Sequence, residues 1–224
     1  MRKFIVLTFL VFSLFSAASV YALPGGNYSD YLGLYLDDGL GNTALVLSST
    51  GLASFNGTLG NWIVNVSTAI TYPILGSTAW PEIDLNSVNV SSSKGGTLTI
   101  AASASGFVPA SAKAFNWDIG GTTSGSIQYQ AYWDNFPSYL FWIGYPKLMD
   151  SGVISTSPFA VSFGGGIPDG AVDYTLLAVI TQTGAGATSF NADFTVIPEP
   201  ATMLLLGSGL IGLAGFARRK FRKN

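Results

Sequence analysis

The sequence contains no cysteine and no histidine. The first absence removes disulfides, thiolate nucleophiles and cysteine-ligated zinc. The second removes imidazole acid–base catalysis and histidine ligation of metals or haem. Charge is also scarce: 10% of the 224 residues are charged, against about 25% in an average soluble domain. Positive charge is confined to the two ends. Arg2 and Lys3 open the chain, and Arg218, Arg219, Lys220, Arg222 and Lys223 close it. Between them only Lys94, Lys113 and Lys147 are basic, and arginine is absent. The same stretch holds all 12 acids, so three lysines against twelve carboxylates leave it a formal charge of −9. Such a body excludes nucleic acid as a partner, because phosphate neutralisation needs Lys and Arg. A mean hydropathy of +0.41 points to segments that do not face water.

Those segments sit at the ends. Met1-Arg2-Lys3 precedes an apolar run over 4–15 and the mostly small residues 16–22. This is the order of a signal peptide: basic, apolar, small. Val20 and Ala22 fit the −3 and −1 positions of signal peptidase, which places cleavage after Ala22; cleavage after Ala18 is the alternative. Residues 1–22 are therefore expected to engage the Sec translocon and to be removed.

A second apolar run covers 201–217. Seventeen helical residues span about 25 Å, a little short of a hydrocarbon core of about 30 Å, and snorkelling basic residues can supply the rest. Arg218, Arg219, Lys220, Arg222 and Lys223 then form a cytoplasmic stop. The expected layout is a transmembrane helix over 201–217, with the acidic body on the periplasmic side of an inner membrane.

Pro198-Glu199-Pro200 stands directly before this run and Arg218-Arg219-Lys220 directly after it. Pro-Glu-Pro, a Leu/Gly-rich span and a terminal basic cluster resemble the PEP-CTERM sorting tail of Gram-negative bacteria. The resemblance covers residues 197–223. It implies processing by exosortase in the Pro198-Glu199-Pro200 region, release to the cell surface or extracellular matrix, and an association with exopolysaccharide and biofilm. The same tail is also catalogued on ice-binding proteins.

The body, 23–196, shows period-2 alternation. Trp62/Val64/Val66, Leu98/Ile100/Ala102, Phe115/Trp117/Ile119, Ile127/Tyr129/Ala131/Trp133, Tyr174/Leu176/Ala178/Ile180 and Phe190/Ala192/Phe194/Val196 each alternate with mostly polar neighbours. Each run reads as a strand with its apolar face inward and its polar face outward. The phase slips between Leu85 and Val88, as a β-bulge requires. Gly-rich turns separate the runs. The expected fold is all-β: a single antiparallel, jelly-roll-like sandwich of eight to eleven strands, with 172–182 and 188–197 as its final hairpin.

Chemistry-bearing constellations are few. Glu82 and Asp84 share one face of a strand, but glycoside hydrolysis needs a suitably placed pair of carboxylates. Asp37-Asp38-Gly39 and Asp169-Gly170…Asp173 offer clustered oxygens for calcium, or simply turns. Two Thr-x-Thr segments, at 97–99 and 181–183, fall short of the regular array that ice adhesion needs.

The densest feature is 129–145, with eight aromatics in seventeen positions. Two uses of it stay open. The rings fill the core, or Trp133, Tyr139 and Trp142 present faces to a glycan. The sequence thus supports a secreted, non-catalytic surface or matrix protein that needs no cofactor or metal. A carbohydrate-binding module or glycan-acting enzyme is the alternative, and an ice-adhesion protein a further one.

Overall fold

The computed structural model describes residues 32–108, 113–135, 140–141, 146–198 and 208–211. The signal peptide, Val20 and Ala22, most of the 201–217 span and the basic stop lie outside these residues. Within the span, 208–211 are helical. Among the described residues no helix is long and apolar enough to cross a membrane.

The described residues of the body form twelve strands in two six-stranded antiparallel sheets. They are β1 (Leu32–Asp37), β2 (Thr43–Ser48), β3 (Leu52–Leu59), β4 (Trp62–Ile70), β5 (Glu82–Ser92), β6 (Gly96–Ala104), β7 (Lys113–Thr123), β8 (Ser126–Asp134), β9 (Lys147–Ile154), β10 (Phe159–Ile167), β11 (Asp173–Gln182) and β12 (Gly186–Pro198). Sheet I has the order β2-β1-β6-β11-β8-β9, and sheet II the order β10-β7-β12-β5-β4-β3.

The topology follows from one long ribbon. β5 to β8 run out and β9 to β12 run back, pairing β8 with β9, β7 with β10, β6 with β11 and β5 with β12. The ribbon then rolls, so that β12 also pairs with β7 and β11 with β8. That is the eight-stranded jelly roll. Two hairpins, β1–β2 and β3–β4, extend the two sheets beside β6 and β5.

The alternating residues meet between the sheets. Trp62, Trp117, Tyr129, Tyr174, Phe190 and Phe194 are the largest fully buried side chains. Trp117 meets Tyr129 and Phe194 edge-on, at centroid distances of 5.9 and 6.2 Å, a geometry the ring quadrupoles favour. The bulge falls where the phase slips: Val88 pairs with Phe190 and Leu85 with Ala192. Asn86 and Ser87 therefore share one opposite residue, Asn191. Ser87 adopts φ 55°, and its N–H donates to Asn191 Oδ1 at 2.6 Å.

Two expectations need correction. β11 and β12 have close to the expected bounds but are not a hairpin. The turn at 183–185 carries the chain from sheet I to sheet II, and each strand finds its partners elsewhere. Alternation marks a strand without saying which sheet receives it. The strand count also exceeds the expected range, because β1, β2, β3, β9 and β10 are too short, bulged or glycine-rich to stand out by alternation.

Candidate functional site

The junction of body and tail is built by β12. This strand lies between β7 and β5 at the centre of sheet II. Its last paired residues are Val196, Ile197 and Pro198, opposite Phe115, Ala114 and Lys113. On the other side the Val196 N–H donates to the Pro81 carbonyl at 2.8 Å. The ladder persists to the residue where proline withdraws its donor. Of the sorting residues, Pro198 thus closes a central strand, whereas Glu199, Pro200, Arg218, Arg219, Lys220, Arg222 and Lys223 lie outside the described residues.

Register brings together carboxylates that sequence spacing does not. Asp193 on β12 faces Asp84 on β5 and Asp118 on β7, with Glu82 one outward position along from Asp84. All are on the solvent side of sheet II. Burial pushes the Glu82, Asp84 and Asp193 carboxyls up from their ordinary values. Neighbouring carboxylates add to this: Asp193 acts on Glu82 and Asp84, Asp84 also on Glu82, and Asp118 on Asp193. No described basic side chain on this face offsets the row. The signal that was missing from the sequence is the pairing; each of these acids already stood on the polar phase of its strand.

A second row, Asn56–Asn65–Asn89–Ser189–Thr122, crosses five strands of the same face. Beside the acidic row is a shallow depression bounded by Asp118, Ser162, Asn191 and Asp193, with the small Gly120 and Ala160 in its lining. Among the described residues no three acidic side chains converge where they could hold a metal ion.

The calcium candidates resolve into turns. Asp38 is buried, and its carboxylate accepts the Leu40 and Asn42 N–H groups at 2.9 and 3.0 Å and the Asn42 amide at 2.6 Å. Burial raises its carboxyl, but those hydrogen bonds outweigh it and hold the group below the ordinary value. Asp37 accepts the Gly39 N–H at 2.7 Å. Asp173 is buried and accepts the Gly106 N–H at 3.2 Å. At Asp37 and Asp38 the oxygens a cation would need are already engaged with the chain's own donors.

The aromatic segment is largely packing where it is described. Tyr129, Tyr132 and Phe141 are buried, and Trp133 is half-buried against the core. Tyr139 and Trp142, with Phe136 and Tyr145, lie outside the described residues. The two Thr-x-Thr segments do meet, Thr97 opposite Thr181, but Thr99 faces Val179 and no threonine array forms. A Ser-x-x-Lys spacing also occurs, from Ser91 to Lys94. It is the β5–β6 turn, where Ser92 Oγ accepts the Gly95 N–H at 2.9 Å and donates to the Gly95 carbonyl.

Comparison with known proteins adds one assignment. The PEP-CTERM protein-sorting motif matches residues 196–223, so it begins inside β12. No curated protein matches the chain. Solved structures are similar at low levels, three of them as follows. TmCBM61 in complex with beta-1,4-galactotriose has 12% identity, covers 64% of this chain and 92% of its own, and has a TM-score of 0.33. The enzymatically active domain of tailspike protein 4 from bacteriophage CBA120 has 12% identity, 62% and 20% coverage and a TM-score of 0.37. The K1 cleaved adhesin domain of Lys-gingipain from Porphyromonas gingivalis has 8% identity, 66% and 98% coverage and a TM-score of 0.33. Similarity this low carries no argument about activity. The chain is a bearer of the PEP-CTERM sorting motif, which implies a secreted protein processed by exosortase and destined for the cell envelope or surface.

Proposed function

We propose that the body is a non-catalytic surface or matrix module, delivered by the Sec pathway and presented outside the cell after exosortase acts on the tail. One observation carries this reading. The sorting motif starts at Val196, and the folded sheet ends at Pro198. Processing just beyond Pro198 leaves both ladders of β12 whole, so the released body keeps its complete fold. Changing Pro198, Glu199 and Pro200 to alanine is expected to leave a membrane-bound precursor whose body still melts cooperatively. Release as efficient as wild type overturns the proposal.

A second reading, a carbohydrate-binding module, is favoured by the outer face of sheet II. Planar amides, hydroxyls and carboxylates in rows suit the hydroxyl edges of a polysaccharide, and the depression beside Asp118 and Asn191 gives a ring somewhere to rest. The binding expected is weak, because a flexible polymer loses freedom on such a shallow surface. Retention of the body on the host's own exopolysaccharide, lost in Asn191→Ala and Asp118→Ala, supports this reading; no retention of the wild type ends it.

A further inference from the structure

We propose that β10 is a self-association edge, along which two copies of the chain pair antiparallel and extend sheet II across a twofold axis. Among the described residues the sandwich has four edge strands: β2 and β9 in sheet I, β3 and β10 in sheet II. Edges of this kind are normally blunted by charge, bulges or shortness. β9 carries Lys147 and Asp150, joined at 2.7 Å, and its register with β8 breaks twice. β3 is bulged between Ala53 and Phe55, and β2 has only six residues. β10 has none of these guards. Its nine residues pair with β7 without a register break. No ionisable side chain occurs from 155 to 168, and proline stands only outside the strand, at 158 and 168.

The side chains of β10 suit a like neighbour. Ala160, Ser162, Gly164 and Gly166 are small and exposed on the outer side. Val161 and Phe163 point toward the core yet stay half-buried, and among the described residues no further strand covers them. A second β10 would cover both and satisfy the free backbone edge. Antiparallel pairing about a twofold uses the same strand of both copies, residue i meeting j and j meeting i, which makes the contact self-complementary. Charge selects the occupant: β10 itself carries no carboxylate, so two bodies, each with three lysines against eleven acids (−8), meet there without setting acids of the two edge strands against each other. The nearest acid, Asp118, stands one strand further in, opposite Ser162, and a basic peptide would find none on β10. The bulge in β3 works against β10 pairing with β3 of another copy, so association closes at two.

Sedimentation velocity of the purified full-length chain in detergent tests this over a wide concentration range. The expected result is a monomer–dimer equilibrium in the wild type and in Ser54→Lys on β3, and a monomer at all concentrations for Ala160→Lys. Thermal melting checks that both variants are folded. The chain has no native thiol, so Ser162→Cys adds a single one. A short bismaleimide should link Ser162→Cys into dimers and leave Ser54→Cys unlinked, which also covers an Ala160→Lys protein that fails to fold. A wild type that stays monomeric, an open-ended series of oligomers, or a folded Ala160→Lys that still dimerises overturns the proposal. The last outcome would place any association elsewhere, in the tail or on β2.

Discussion

The outer faces of the two sheets begin from the same pattern and end in opposite states. On sheet II the outward residues meet water, and four carboxylates are left beside one another. On sheet I the outward residues at the centre are dry. Ala101, Tyr132 and Leu177 form a satellite cluster beneath Leu140 and Phe141, which the β8–β9 connection lays across the sheet. Ser103 and Thr175, polar by type, are buried there as well. Ser103 Oγ accepts the Phe141 N–H at 2.9 Å and lies 2.8 Å from Thr175 Oγ1. A jelly roll needs only its inner faces buried; the second dry layer is an addition made by one connection. The difference teaches that polar-out in sequence means only away from the sandwich core. Whether that side is wet depends on what the turn of the ribbon does.

The largest expected effect therefore comes from the cap. Phe141→Ala should cost about 3 kcal/mol, as for other buried phenylalanines. For a body of this size that lowers Tm by roughly 10 °C. A loss near zero would mean the cap is not part of the cooperative fold. Gly33 lies directly under the ring: a Cβ there would sit 2.5 Å from Phe141 Cζ and 3.2 Å from Leu140 Cδ1. Gly33→Ala should cost about 1–2 kcal/mol by overpacking. In a Phe141→Ala background the same substitution should cost little, and the double-mutant cycle measures that coupling. Equal costs in both backgrounds would show that Gly33 does not act through the cap.

Much of the inner layer was legible in the sequence. Trp117, Tyr129, Tyr174, Phe190 and Phe194 were placed on inward faces by alternation alone, and the slip between Leu85 and Val88 announced the bulge. Pairing was not legible, because period 2 is blind to partner and sheet; β11 and β12 were therefore read as a hairpin. For the same reason Asp84, Asp118 and Asp193, far apart in the chain, gave no sign of forming one row. The glycan candidates divide by the same cause. Trp133 kept its inward phase at the end of β8 and packs against the core, and the loop beyond it has no period to read. The sorting tail was the easiest element to find, because its signal is a linear order of residue types and needs no folding to be recognised.

The smallest effect concerns the bare face and sharpens the contrast with the cap. Like charges directly opposite on neighbouring strands are destabilising, with cross-strand pairs worth about 0.2–1 kcal/mol. Asp193 stands between Asp84 and Asp118, so Asp193→Asn should raise stability by about 0.5 kcal/mol at neutral pH and low salt. The gain should shrink at about 1 M salt, where screening acts within roughly 3 Å. The pH dependence has a definite sign. The Glu82, Asp84 and Asp193 carboxyls bind protons more tightly folded than unfolded. Their repulsion is absent below the unfolded carboxylate values, about pH 4, and grows as pH rises through the raised folded values. The advantage of Asp193→Asn over wild type should therefore fade on acidification toward that range. Asp150 runs the other way. Burial raises its carboxyl, but Lys147, Gln128, Gln130 and the Gly152 N–H hold it well below the ordinary range, so its contribution is lost on acidification. The two trends overlap in the wild-type curve, and only the difference between variant and wild type isolates the row. If Asp193→Asn is less stable than wild type at pH 7 in low salt, the row is held by interactions that favour its charge, and the bare face is no longer the strained one.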